Sequence, residues 1–242
     1  MATDLSGQTG IVVGASSGMG RATVLELARS GMHIVAAARR ADRLADLERQ
    51  VRSGGGSIEV VVADSTNSAD VQSVVAQSLR NSGRIDLLVY AAGTNLPERS
   101  LKVLTDVNWH RLIDTNLNGA FTCTKAVLPA MRAAGNGLIV FLASACVQTP
   151  DVSGVAYQAS KHGLVGLAHG TRVEEKSHGI RTSVIFPGLC DTEILARRPV
   201  PTPREVLDQS LAPEDVAQAV LFLASLPARA VVPELQLLPS RL

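Results

Sequence analysis

Gly10-Ile-Val-Val-Gly14-Ala-Ser-Ser-Gly18-Met-Gly20-Arg-Ala-Thr-Val-Leu-Glu-Leu-Ala-Arg29 reads as a strand, a glycine turn and a helix in immediate succession. Residues 10–13 are a short apolar run, and residues 21–29 carry apolar side chains at helical spacing. Glycines at 14, 18 and 20 permit positive φ and close backbone approach. The turn they form with Ser16, Ser17 and Met19 presents N–H groups at a helix start, a site suited to a pyrophosphate. The spacing is G-x-x-x-G-x-G rather than the commoner G-x-G-x-x-G. A glycine pattern alone also suits a purely structural turn; its place between strand and helix favours a bound nucleotide.

The alternation continues. Strand-like runs fall at residues 33–37, 58–63, 85–90, 138–142, 180–186 and 234–238, with helical patterns at 41–51, 67–82, 106–133, from 154 to about 178, and 213–225. Residues 96–105 read as loop with a short turn of helix, and 189–211 as a proline-rich loop. Such alternation predicts an α/β fold, a doubly wound seven-stranded parallel sheet with helices on both faces, in one domain over residues 1–242. Pro213-Glu-Asp at the last helix start fits the preference for proline and acids in a first turn.

The strand ends carry the informative residues. After the second strand come Ala38-Arg39-Arg40, with no acid to bind a ribose 2′-hydroxyl; an arginine there accommodates a 2′-phosphate. Two cations at a positive helix start are unfavourable unless an anion is bound, although a solvated charge pair is the alternative. Asp64 and Ser65 end the third strand, where Asp64 is placed to accept from an adenine amino group. Ala91, Ala92 and Gly93 end the fourth, and small residues there leave room for a ligand across the carboxyl ends of the strands.

Composition narrows the function classes. The 242 residues are 46% hydrophobic and 19% charged, with formal net charge +1, which points away from disorder and from a nucleic-acid partner. The start Met1-Ala-Thr-Asp-Leu-Ser-Gly7 lacks a leader pattern and no apolar run is membrane-length, so a cytoplasmic protein with no membrane partner is expected. Cys123, Cys146 and Cys190 are odd in number without a C-x-x-C pair, and the histidines lack ligand spacing; no disulfide framework and no metal site is expected.

Tyr157 and Lys161 are four apart, so on a helix both leave one face, with an ammonium beside a phenol. A nearby cation favours the phenolate and lowers its pKa, which would let Tyr157 exchange a proton with an alcohol or carbonyl. Ser144, at the end of the 138–142 strand, is placed to hydrogen-bond the same oxygen. The bland alternative is a surface Tyr and Lys on an amphipathic helix. Asn116 sits mid-helix, where its side chain or a backbone carbonyl can hold a water. Arg197 and Arg198, after Pro187-Gly188, are either a solvated basic pair or a clamp for a carboxylate.

With these residues in place, the sequence resembles the short-chain dehydrogenase/reductase family over essentially its whole length. Gly14, Gly18 and Gly20 match its glycine motif, Asp64 its adenine contact, and Ala92-Gly93 the end of its Asn-Asn-Ala-Gly motif. Asn116 matches its helix asparagine, Ser144, Tyr157 and Lys161 its catalytic trio, and Pro187, Gly188 and Thr192 its P-G-x-x-x-T segment. The resemblance implies a Rossmann sheet, NADP(H) as cofactor, a small-molecule carbonyl or alcohol substrate, and a homotetramer. In that assembly the helices of Asn116 and Tyr157 would pack on a neighbour, helped by a small-residue face at Gly163, Gly166, Ala168 and Gly170. It further implies that Ser144 polarises the carbonyl, Tyr157 donates the proton, Lys161 holds the tyrosine pKa down and binds the nicotinamide ribose, and Asn116 orders a water that refills Lys161.

Two departures stand out: Val13 replaces a threonine, and Tyr90-Ala91 replace Asn-Asn, so hydrogen bonds near the cofactor must be made otherwise or lost. The C-terminal Glu234-Leu-Gln-Leu-Leu-Pro-Ser240 is similar to the NADP-dependent branch acting on 3-hydroxy acids, serine-like substrates and small aldehydes. The other function class, a non-catalytic NADP(H)-sensing regulator, is disfavoured by an intact proton relay.

Overall fold

The computed structural model describes residues 3–242; Met1 and Ala2, the head of the stretch read for a leader, lie outside them. β1 (Thr9–Val13) leads through α1 (Gly18–Arg29), β2 (His33–Ala38), α2 (Ala41–Ser53), β3 (Ile58–Val62) and α3 (Ser68–Ser82) to β4 (Leu87–Tyr90). Then follow α4 (Asp106–Ile113), α5 (Gly119–Ala134), β5 (Gly137–Leu142), α6 (Val155–Glu175), β6 (Ile180–Pro187), α7 (Arg204–Leu207), α8 (Pro213–Ser225) and β7 (Glu234–Leu237). The seven strands pair in the order β3-β2-β1-β4-β5-β6-β7, all parallel. The chain therefore winds outward from β1 to β3, crosses back, and winds the other way from β4. Between β1 and β4 successive connections leave toward opposite faces, and a crevice opens at the strand ends.

Strand periodicity divides the core in two. In β1, Val12 faces a cluster with Val24 and Leu27 of α1, Leu44 and Leu47 of α2, and Val216 and Val220 of α8. Its neighbours Ile11 and Val13 face the opposite cluster, with Val71 and Val74 of α3, Cys123 and Val127 of α5, and Leu164 of α6. Both faces of the sheet are covered, as a parallel sheet requires. The three cysteines are buried and unpaired.

The expected helix at 106–133 is interrupted: a π-helical turn, Asp114–Asn118, separates α4 from α5 and holds Asn116 fully buried. The stretch 96–105 has turns but no helix, and 189–211 contains a 3-10 turn, Glu193–Arg197, and the single turn α7. The small-residue face of α6 is split. Ala168 is fully buried and a Cβ on Gly163 would strike Leu117 Cδ2 at 2.5 Å, whereas Gly166 and Gly170 open outward. A helix has two sides, and positions 163 and 168 fall on the one packed against this chain's own core.

Tyr90 ties the end of β4 to its surroundings. Its hydroxyl donates to Thr115 O at 2.6 Å and accepts from Ser65 Oγ at 3.1 Å, joining β4 to the π-helical turn and to the end of β3. The ring is fully buried, and Gly119 must be glycine beneath it, since a Cβ there would fall 2.4 Å from the Tyr90 hydroxyl. Tyr90→Phe leaves a carbonyl and a hydroxyl short of a partner in the core. It should cost about 1–3 kcal/mol in urea unfolding; a variant as stable as wild type would show that the hydroxyl braces nothing.

Candidate active site

Ser144, Tyr157 and Lys161 are brought together where β5 ends and α6 begins. Ser144 leaves β5 in extended conformation and caps the 3-10 turn Ala145–Val147, its hydroxyl accepting from Cys146 N at 3.3 Å. Gly154, with φ +92°, opens α6, and the stem of Arg99 takes the space where a Cβ would sit. That turn puts Tyr157 in the first turn of α6, with Lys161 one turn on. The Lys161 ammonium is buried, donates to Leu142 O at 2.8 Å, and lies 5.6 Å from the Tyr157 ring centroid.

The electrostatics differ from the expectation that Lys161 holds the Tyr157 pKa down. Burial pushes the Tyr157 phenol above its ordinary value, and the Ser144 hydroxyl offsets only part of that rise. Lys161 spends its charge on the Leu142 carbonyl from the face of the ring, and burial lowers it to about 8. The site thus holds a neutral phenol, an acid, beside an ammonium that loses its proton easily.

Asn116 stands across Gly93 from Lys161. A Cβ on Gly93 would lie 3.4 Å from Lys161 Nζ and 3.7 Å from Asn116 Oδ1. The Asn116 amide accepts from Thr94 N at 2.8 Å and donates to Thr94 O and Ser160 Oγ, both at 3.0 Å. Its side chain is occupied, so a water would be held by main-chain carbonyls, whose ladder the π-helical turn displaces.

A cleft of about 350 Å³ runs along the strand ends from this trio. It is lined by Gly14, Ser16, Ser17, Gly18, Met19 and Gly20, by Arg39, Arg40, Asp64 and Ser65, and by Ala92, Gly93, Tyr157, Lys161 and Thr192. Pro187 and Gly188, expected as cofactor contacts, are not among the residues lining it; Gly188 N donates to Leu237 O at 2.8 Å. The residues fit a dinucleotide. The N-terminus of α1 opens on the cleft with no side-chain cap and no acid in its first turn, so its amides suit an anion.

At the β2 end, Arg39 lies 3.7 Å from Asp64. Burial pushes Asp64 up, but hydrogen bonds from Thr66 and the charge of Arg39 outweigh it and hold the carboxyl below its ordinary value. Ser65, read as a cofactor contact, gives its hydroxyl to Tyr90. Arg40 is more tightly held than Arg39: it donates to Ser16 Oγ at 2.9 Å, Ser17 Oγ at 2.6 Å and Glu193 Oε2 at 2.9 Å.

Two charged residues escaped the sequence reading. Glu193 reaches back over 150 residues to Arg40 and Arg43, a contact without local signal. Arg99 is buried to 9% exposure beside the trio, donates to Arg197 O at 3.2 Å, and leaves its buried Nε without a partner. Its only sequence signal was a charge in a loop between Pro97 and the next helix. Of the two expected substrate-reading arginines, Arg197 donates to Thr94 Oγ1 at 3.1 Å and Arg198 to Thr202 Oγ1 at 3.0 Å.

Comparison with known proteins agrees with this architecture. The family described as short chain dehydrogenase matches residues 8–200. An uncharacterized oxidoreductase of Staphylococcus haemolyticus is 33% identical, covering 98% of this chain and 99% of its own. A 3-oxoacyl-[acyl-carrier-protein] reductase of Synechocystis is 30% identical, covering 95% and 94%. The crystal structure of a metagenomic short-chain oxidoreductase in complex with NADP superimposes with TM-score 0.83 at 31% identity, covering 96% and 97%. A likeness that runs through the whole sheet and reaches the helix carrying Tyr157 is one of descent, and the chain belongs to the short-chain dehydrogenase family.

Proposed function

We propose that this protein transfers hydride reversibly between NADP(H) and the carbonyl or secondary alcohol of a small molecule, with residues 1–242 acting as one catalytic domain. The observation that carries the reading is the Tyr157 ring beside the buried Lys161 ammonium, both lining the cleft that runs from the glycine turn. The bound cofactor supplies or takes the hydride at the substrate carbon. Ser144 donates a hydrogen bond to the substrate oxygen, and Tyr157 gives its proton to that oxygen as negative charge develops. A phenol kept neutral by burial suits this reductive direction. Lys161 passes a proton toward the phenolate, and a water on the main chain beside Asn116 resupplies it.

Tyr157→Phe should lower kcat by at least a hundredfold while dinucleotide affinity stays within about threefold, because the hydroxyl serves proton transfer. Retention of a tenth of wild-type kcat would remove Tyr157 from the acid role.

Arg39 and Arg40 at the end of β2, with no acid at Ala38, favour a 2′-phosphate. NADPH should be preferred over NADH about tenfold in kcat/KM, as a charge-assisted contact provides. Equal values with both cofactors would refute that preference.

For substrate we propose a small 3-oxo or 3-hydroxy acid. Arg99 supports the reading: its guanidinium lies within electrostatic reach of Tyr157, and it holds the main chain of Arg197, which lines the cleft. A 3-oxo acid should be used better than its methyl ester, and Arg99→Gln should raise KM for the acid about tenfold with little change for the ester. An ester as good as the acid in the wild type excludes charge recognition.

A further inference from the structure

The end of β2 carries more positive charge than a cofactor site needs. Arg39, Arg40 and Arg43 cluster there; Arg40 is the N-cap residue of α2 and Arg43 lies in its first turn, the positive end of a helix, with Asp42 the one acid of that turn. Cations so placed call for an anion, and the chain provides one. Glu193, the first residue of the 3-10 turn after Thr192, accepts from Arg40 at 2.9 Å through Oε2 and from Arg43 through Oε1. Hydrogen bonds from Arg43 and Arg40 hold its carboxyl below the ordinary carboxylate range, so it is charged at neutral pH.

The other donors of Arg40 are spent on Ser16 and Ser17 of the glycine turn, which fixes its guanidinium at the rim of the cleft. Arg40 and Glu193 both line that cleft.

We infer that Glu193 is a built-in competitor for the 2′-phosphate of NADP(H): its carboxylate takes the Arg40 and Arg43 donors that the phosphate would use, and so sets how strongly the site prefers NADP(H) over NAD(H). This rests on the NADP(H) reading above. The sign follows from charge. A 2′-phosphate brings about two negative charges to the arginines, and a carboxylate already on them both occupies donors and repels it. A cofactor with a free 2′-hydroxyl adds no charge there and can leave the pair in place. Glu193 touches neither Tyr157 nor Ser144 and acts only through the arginines, so it is a specificity residue.

The test uses direct binding to the full chain. Dissociation constants of adenosine 2′,5′-bisphosphate and adenosine 5′-monophosphate, which differ only in the 2′-phosphate, are measured for wild type, Glu193→Gln and Glu193→Ala by calorimetry, with circular dichroism confirming the fold. Removing one half-exposed ion-pair partner should tighten the bisphosphate about fivefold and leave the monophosphate unchanged, raising the ratio by the same factor in both variants. A wild-type preference for the bisphosphate that stays constant or falls in both variants overturns the competitor role and leaves the NADP(H) reading standing. Equal binding of the two nucleotides in all three proteins overturns both.

Discussion

The close approach of the glycine turn to the end of β4 is the constraint on which the cleft depends. Gly14, at φ +89°, passes so near the neighbouring chain that a Cβ would lie 2.5 Å from Ala92 N. Gly20 faces back onto the same turn, where a Cβ would lie 2.4 Å from Gly14 O. Backbone cannot yield as a flexible side chain can, so both positions admit only glycine without displacing a strand end. This contact lets α1 start directly above β1 with its amides toward the crevice between β1 and β4. The small residues Ala91, Ala92 and Gly93 complete the requirement from the other side. Lys161 Nζ and Asn116 Oδ1 both border Gly93, at 3.4 and 3.7 Å from where a Cβ would stand. The cleft and the cluster of Lys161 and Asn116 at its edge thus meet at the same strand end.

Most of the fold was legible in the sequence because its signals are local. Parallel strands buried on both faces are short apolar runs, and each was separated from the next by a helix with a clear apolar stripe; Pro213 to Ser225 fell where proline and first-turn acids placed it. The π-helical turn at Asp114–Asn118 left no such mark, since its residues keep a helical pattern and only the hydrogen-bond ladder shifts. The short helical turns within 189–211 were hidden for another reason. A turn of four or five residues has no periodicity to read, and prolines at 199, 201 and 203 suggested loop.

The site was legible as a list of residues and less so as chemistry. Tyr157, Lys161 and Ser144 do converge, but the direction of the tyrosine's pKa depends on burial and on where the ammonium points, and sequence contains neither. Spacing put the cation beside the phenol; the Leu142 carbonyl, nineteen residues before Lys161, decided what the cation does. The Tyr90 substitution shows the same limit. As a motif it is a departure from the expected asparagine, whereas in three dimensions its side chain reaches Thr115 and Ser65, with Gly119 clearing its path.

Charge is distributed in this molecule so that cations gather at the two ends of one cleft. At the β2 end Asp64 and Glu193 balance the arginines from within the chain. At the other end Arg197 lines the cleft, and behind it Arg99 is buried with one N–H unpartnered; burial and the like charge of Arg198 push its pKa down against the pull of Asp151. The asymmetry has a physical reading. Where internal carboxylates already neutralise the cations, a ligand must displace them, and affinity becomes a matter of competition. Where a desolvated guanidinium has a carboxylate only at longer range, as Arg99 has Asp151, a bound anion relieves an existing cost and gains a larger share of the interaction. The segment from Glu193 to Arg197 spans the two ends, tied to Arg40 and Arg43 at its start and to Thr94 and Asn95 at its finish. On the proposed reading, anions arriving at either end would act on the same short turn, and residues 193–197 would then bear on cofactor choice and substrate choice together.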